Sequence, residues 1–350
     1  MRFFTLPLVA AALLGRCSIG AEVPYTRSYF YTGGQYVDDG SGGHIFRDQM
    51  YVEKLVPSSG TTQDVPIVFI HGQAQTGTNF LNKPDGGRGW ASLFIQQGYE
   101  VYIVDQTFRG RSAWQPAQGA AKPSTYSAEI IQQRFTAGKD YMLWPQASNH
   151  TQWPGTGKMG DPVFDTFYSS NVQFISNATY QQTTVQNAGA ALLDKIGKPV
   201  ILVGHSQGGL MPIVIADARP KLAKALILLE PTGPPFQDAV FSNASTRAWG
   251  LTDIPVTYSP AVTDPAPSSS RRRTLRAATT TKPILVVTSE SSYHVPYDYC
   301  TVDFLQQAGC SKAEHLELGE AGIHGNGHMF FMEKNSDEIQ KVLGSWIKKL

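Results

Sequence analysis

The chain has 350 residues, of which 41% are apolar and only 16% charged, and its formal net charge is +1. That balance excludes a chain disordered throughout and supplies enough apolar sequence for a sizeable core. It leaves no strong field for nucleic acid or an anionic membrane, so the partner it suits is a small neutral or apolar molecule.

Residues 1–21 carry the pattern of a secretory signal peptide. Met1-Arg2 is the positive start, Phe3 to Leu14 is an apolar run, and Ser18-Ile19-Gly20-Ala21 offers small residues for cleavage. The run is too short to span a bilayer, and no later stretch reaches that length without charges or prolines, so no stable membrane insertion is expected. The mature chain, residues 22–350, is expected outside the cell as one catalytic domain. Three sequons agree with export, at Asn149, Asn177 and Asn243. Cys17 leaves with the leader, so Cys300 and Cys310 remain, and in an oxidising compartment the simplest expectation is that they pair. Closing so short a loop would stabilise by about 3 kcal/mol. Two unpaired buried thiols are the alternative.

From Tyr25 to Val56 the chain is β-rich and punctuated by glycine, and Met50 to Val56 alternates like a strand. Strand and helix patterns then take turns. Strands are expected over 65–70, 99–104, 199–203, 225–229 and 283–287; helices over 90–97, 181–195, 207–218 and 337–349. Short Val/Ile/Leu runs alternating with helices predict a mostly parallel, doubly wound α/β sheet covered on both faces. Two insertions interrupt it, at about 105–170 and 231–281, and are expected to wall a pocket or form a small lid. The second holds the run Arg271-Arg272-Arg273, expected to be a solvated loop.

Gly204-His205-Ser206-Gln207-Gly208 lies between a predicted strand and a predicted helix. In that context the pattern marks the nucleophile elbow of the α/β-hydrolase fold. The serine must sit on a strained turn that pushes its hydroxyl out of the sheet, and a side chain at either glycine would clash. The backbone N–H of Gln207 then points at a developing oxyanion. A second donor is expected from His71-Gly72-Gln73-Ala74, at Gln73 first and Ala74 second, while His71 itself is expected to pack the loop. The base is sought in Gly322-Ile323-His324-Gly325-Asn326-Gly327-His328, just before the closing helix, with His328 ahead of His324. His205 stands too close to the nucleophile in sequence, and His294 and His315 suit loop and strand positions.

For the acid, an Asp is usual after the seventh strand. That stretch here is Thr288-Ser289-Glu290-Ser291-Ser292, whereas the sixth strand, Ala225 to Leu229, ends in Glu230-Pro231. A carboxylate behind five apolar residues needs a buried partner, and an imidazole N–H is one. Glu230 is therefore favoured, with Glu290 second and Asp298 third.

These residues give the chain a resemblance to secreted α/β-hydrolase esterases, best known in bacteria, that use a Ser–Glu–His triad with the Glu after the sixth strand. The matching pieces are His71-Gly72 with Gln75-Thr76-Gly77, Thr151 to Gly155 with Gly160-Asp161-Pro162, Gly204 to Gly209, Glu230-Pro231, and Gly325 to Met329. They run from about residue 45 to the end. The family pattern places two adjacent cysteines after the His-Gly pair; here Gln73-Ala74 stand there, which puts the family's loop rigidity in doubt. Leader, sequons and insertion lengths suggest a eukaryotic, fungal relative. The expected activity is carboxylic-ester hydrolysis through an acyl-enzyme on Ser206. Alternatives are acyl transfer with the same triad, or a non-catalytic binding protein on a hydrolase scaffold. Ser206 argues against epoxide hydrolysis and dehalogenation, which use Asp at that position. The chemistry needs no cofactor, and the sequence shows neither a metal-ligand cluster nor a nucleotide loop.

Overall fold

The computed structural model describes residues 22–117, 122–259, 276–277 and 282–350. Residues 1–21, expected to be a leader and holding Cys17, and the run Arg271-Arg272-Arg273 lie outside the described residues.

Eight strands form the main sheet: β1 (Tyr25–Asp38), β2 (His44–Pro57), β3 (Ile67–Ile70), β4 (Val101–Asp105), β5 (Val200–His205), β6 (Ala223–Leu229), β7 (Ile284–Thr288) and β8 (Ala313–Glu317). Their spatial order is β1-β2-β4-β3-β5-β6-β7-β8. The β1–β2 hairpin is antiparallel and joins β4 antiparallel, while β4, β3, β5, β6, β7 and β8 run parallel. The strand at the middle of the parallel set, β5, is buried along its whole length because helices cover both faces.

Those helices are α1 (Trp90–Gln96), α2 (Pro162–Ser169), α3 (Ala178–Ile196), α4 (Met211–Ala218), α5 (Asp298–Gln307) and α6 (Ser336–Ile347). Alternation along the strands splits the core in two. Phe69, Val203 and Ile227 point to the face carrying Trp90, Phe330, Phe331 and Leu343. Val68, Leu202 and Leu228 point to the face carrying Val185, Leu192, Met211 and Val214. The predicted doubly wound sheet is therefore the observed one.

Some expectations change. Helix 207–218 begins as a 3-10 turn, Ser206–Gly209, before α4. The helix α5 was not anticipated, and β8 only in that His315 suited a strand position. Cys300 and Cys310 are not joined by a disulfide: Cys300 is half-buried and Cys310 buried. Helix α5 explains the separation. It carries the chain away from Cys300 at about 1.5 Å per residue, so its remaining turns alone span roughly 10 Å. A disulfide tolerates Cα atoms only about 4–7 Å apart.

Candidate active site

The carboxyl ends of β5, β6 and β7 are adjacent, and the candidate residues gather there. Ser206 follows β5 directly with φ +56°, a strained value for a side-chain-bearing residue. The flanking glycines make the turn possible. A Cβ at Gly204 would run into the Gly208 carbonyl, and one at Gly208 into the His71 carbonyl.

Glu230 follows β6, also at positive φ, and is fully buried. Its Oε1 accepts from the Ser289 N–H at 2.8 Å and the Ser289 hydroxyl at 2.6 Å. Its Oε2 accepts from the Ser292 hydroxyl at 2.6 Å and from His328 Nδ1 at 2.5 Å. Burial pushes this carboxyl up, but the His328 hydrogen bond and the charge of His294 outweigh it and hold the group down at about 2. His328 is itself buried. Burial lowers its pKa below 6.5 against the pull of Glu230, leaving a neutral ring with Nε2 available as a base.

The other candidates sort into their own pairs. His324 Nδ1 meets Glu290 Oε1 at 3.1 Å near the surface, and Glu290 also accepts from the Gly325 N–H. His294 Nδ1 meets Asp298 Oδ1 at 2.9 Å in the interior, and its ring lies parallel to that of His328 at 4.9 Å. Neither Glu290 nor Asp298 is hydrogen-bonded to His328, and His315 binds the Thr288 hydroxyl.

Ser206 and His328 face one cavity of about 300 Å³, walled by aromatic rings that include Tyr126, Phe135, Phe241 and Tyr293. Gly72, Gln73 and Gln75 line it from the loop after β3. His71 accepts the Gln106 N–H on Nε2, so its Nδ1–H donates to the Gly72 carbonyl at 2.8 Å. Burial holds that ring neutral, with a pKa of about 4. His71 is thus a strut of the loop, as its loop-packing expectation had it.

A family model described as the alpha/beta hydrolase family matches residues 67–339. A fungal protein (Fungal sp., strain ATCC 74256) named "Probable secreted lipase phiG" is 42% identical, the match covering 98% of this chain and 97% of that one. This chain belongs to the α/β-hydrolase family. A solved structure described as a novel bacterial esterase shares the hydrolase fold with a TM-score of 0.66 at 23% identity, over 98% of this chain and 99% of that one. The family and the fungal likeness expected from the sequence both hold.

Several residues of the hydrolase site carried no separate signal in the sequence. Ser289 and Ser292, noted there only as departures from Asp, are donors to Glu230. His205 places its Nε2 3.0 Å from the His328 carbonyl and so steadies His328. The segment Thr151-Gln152-Trp153-Pro154-Gly155, family-like but without obvious chemistry, has a physical role here: the Thr151 and Gln152 N–H groups both donate to the Gly325 carbonyl. Glu333 accepts from Asn326 and the Gly327 N–H and meets His150 Nε2 at 2.6 Å. The loop before His328 is therefore tied on two sides. A one-turn π-helix, Gln132–Thr136, supplies Phe135, whose ring stacks on His328 at 5.1 Å.

Among the described residues one group could offer three ligands to a metal: Glu230, His294 and His328, with ligand atoms within 4.8 Å of one another. Both Glu230 oxygens and His294 Nδ1 are already engaged by protein partners. A metal would have to break these bonds, so the group fits an acid–base cluster better than a metal site. No described helix is long and apolar enough to cross a membrane.

Proposed function

We propose that this hydrolase is a secreted serine carboxylic-ester hydrolase. Ser206 Oγ attacks the ester carbonyl and passes its proton to His328 Nε2. Glu230 holds the His328 tautomer and stabilises the imidazolium. The backbone N–H groups of Gln207 and Gln73 receive the tetrahedral oxyanion. His328 then gives its proton to the leaving alkoxide, and water resolves the acyl-enzyme by the reverse relay. What carries this reading is the 2.5 Å contact between the neutral His328 and the ionised, buried Glu230, with His328 sharing a cavity with Ser206 on its strained turn.

The test is hydrolysis of p-nitrophenyl esters of graded acyl length by the mature chain, beside Ser206→Ala, Glu230→Gln and Glu290→Gln. The expected result is collapse of the first two by roughly a thousandfold or more, with Glu290→Gln near wild type. Collapse with Glu290→Gln and not Glu230→Gln would return the acid to the end of β7. A folded, ester-inert wild type would sink the reading.

Export rests on the leader pattern and on the name of the fungal relative. Asn149, Asn177 and Asn243 are all exposed, so a glycan at each meets no steric bar. Secretion from a fungal host should give an N-terminus near Glu22 and a mass that falls on endoglycosidase treatment. A cell-retained product with its leader intact would contradict this.

A further inference from the structure

The cavity beside Ser206 contains positive charge that ester hydrolysis does not use. Arg134, on the π-helical turn, lines it with its guanidinium 4.1 Å over the Phe241 ring. Among the described residues it has no carboxylate within salt-bridge distance and no hydrogen-bond partner. Behind the wall, Arg109 is fully buried, and its three guanidinium nitrogens have no hydrogen-bond partner among the described residues. Its guanidinium lies 5.5 Å over the Phe174 ring, which packs on that of Tyr126. Both arginines act on Tyr126, which lines the cavity and donates to Gln73 Oε1 at 2.5 Å.

The acids nearby do not neutralise these charges. Asp238, also in the lining, is paired with Arg247 at 3.1 Å. Glu230 is committed to His328 and the two serines. A pocket for a purely apolar ester would gain nothing from a half-buried guanidinium that no carboxylate pairs. A guanidinium lying over an aromatic ring keeps its edge N–H groups free to fork onto a carboxylate.

We propose that the ester bound beside Ser206 carries a carboxylate of its own, held by Arg134. Arg109, set behind Tyr126, adds to the field that attracts it. The substrate class is then an anionic ester, either a half-ester of a dicarboxylic acid or the ester of a hydroxy acid. As a statement about cleavage this rests on the ester-hydrolase reading; as a statement about binding it does not.

Two matched pairs separate the two sources of the carboxylate. Monobutyl adipate against butyl methyl adipate places the charge on the acyl side, and 6-acetoxyhexanoate against its methyl ester places it on the alcohol side. The quantity measured is the ratio of kcat/KM, charged over neutral, in wild type, Arg134→Gln and Arg134→Lys. For at least one pair wild type should favour the charged ester, and Arg134→Gln should cut the ratio about 10- to 100-fold, the worth of a hydrogen-bonded charge. Arg134→Lys should restore part of it, because the charge survives but the fork is lost. The ratio is insensitive to a general loss of activity caused by misfolding. Ratios unchanged by Arg134→Gln in both pairs would overturn the proposal.

Calorimetric titration of Ser206→Ala, with and without Arg134→Gln, reads binding apart from hydrolysis, using monobutyl adipate and 6-acetoxyhexanoate as the probes. Arg134-dependent binding of a charged probe, with an inert wild type, would support this proposal and sink the hydrolase reading. Hydrolysis of all four esters with binding indifferent to Arg134 would do the reverse.

Discussion

Glu230 has no solvent contact and four donors on its two oxygens, three of them from Ser289 and Ser292. Removing either hydroxyl leaves a buried carboxylate less satisfied, which costs about 1–3 kcal/mol. Ser289→Ala and Ser292→Ala should therefore lower kcat about tenfold or more while leaving KM close to wild type, as steady-state kinetics can check. The pH profile follows from His328. On the proposed mechanism the base works when neutral, so activity should rise with pH through its pKa, which burial lowers below 6.5. The acid limb of kcat/KM should have its midpoint under 6.5, with no second limb from Glu230, which stays ionised down to about 2. A midpoint above 6.5 would contradict the burial argument. At this scale the sequence showed a great deal. The candidate Ser206 stood out from the glycines around it, and Glu230 from its place behind apolar residues. The ranking of Glu230, Glu290 and Asp298 needed through-space distances, since all three stand near a histidine once the chain folds. The donor role of Ser289 and Ser292 was hidden for the same reason.

Among the elements, the turn after β5 tolerates least. Gly208 faces the His71 carbonyl, a backbone group held by Gln106, and cannot yield to a Cβ. Gly208→Ala should lower stability by about 1–3 kcal/mol, visible as a drop in Tm, and should cost activity in proportion to the displaced turn. Helix α5 makes a different prediction. With Cys300 and Cys310 held apart, a reductant should leave Tm unchanged. Thiol alkylation of the native protein should label Cys300 first and Cys310 only on unfolding. A reductant-induced fall in Tm would restore the disulfide. The strands of the parallel set were readable because burial on both faces makes them unbroken apolar runs. Strand β8, Ala313-Glu314-His315-Leu316-Glu317, is an edge strand with polar residues outward and gave no such run. In α5 the apolar face is thin, Val302 and Leu305 within a polar sequence, so its period was too weak to see.

For the whole molecule, buried histidines decide the response to acid. His71, His205 and His328 all have pKa values lowered by burial, His71 to about 4. Below 6.5 the unfolded chain protonates these side chains while the folded chain resists, so stability falls as pH drops from about 6.5 towards 4. His294 opposes this, because Asp298 raises it and its contribution is greatest in acid. The net expectation is proton uptake on unfolding as pH falls from about 6.5 towards 4, measurable from the slope of denaturation free energy against pH. A flat profile between pH 7 and 4 would show that these rings are not held neutral.

His328 and Glu230, the proposed base and acid, stand 98 residues apart in sequence, and the loop carrying His328 is pinned to the segment after His150. No single stretch of chain contains the chemistry. Turnover is therefore a stricter gauge of nativeness than helix content or compactness. On the proposed mechanism, fraying of the β7–β8 edge would disturb the Ser289 and Ser292 donors to Glu230 and lower turnover while most of the sheet stands. Conversely, the return of catalysis during refolding would signal that segments from both halves of the chain had found their register.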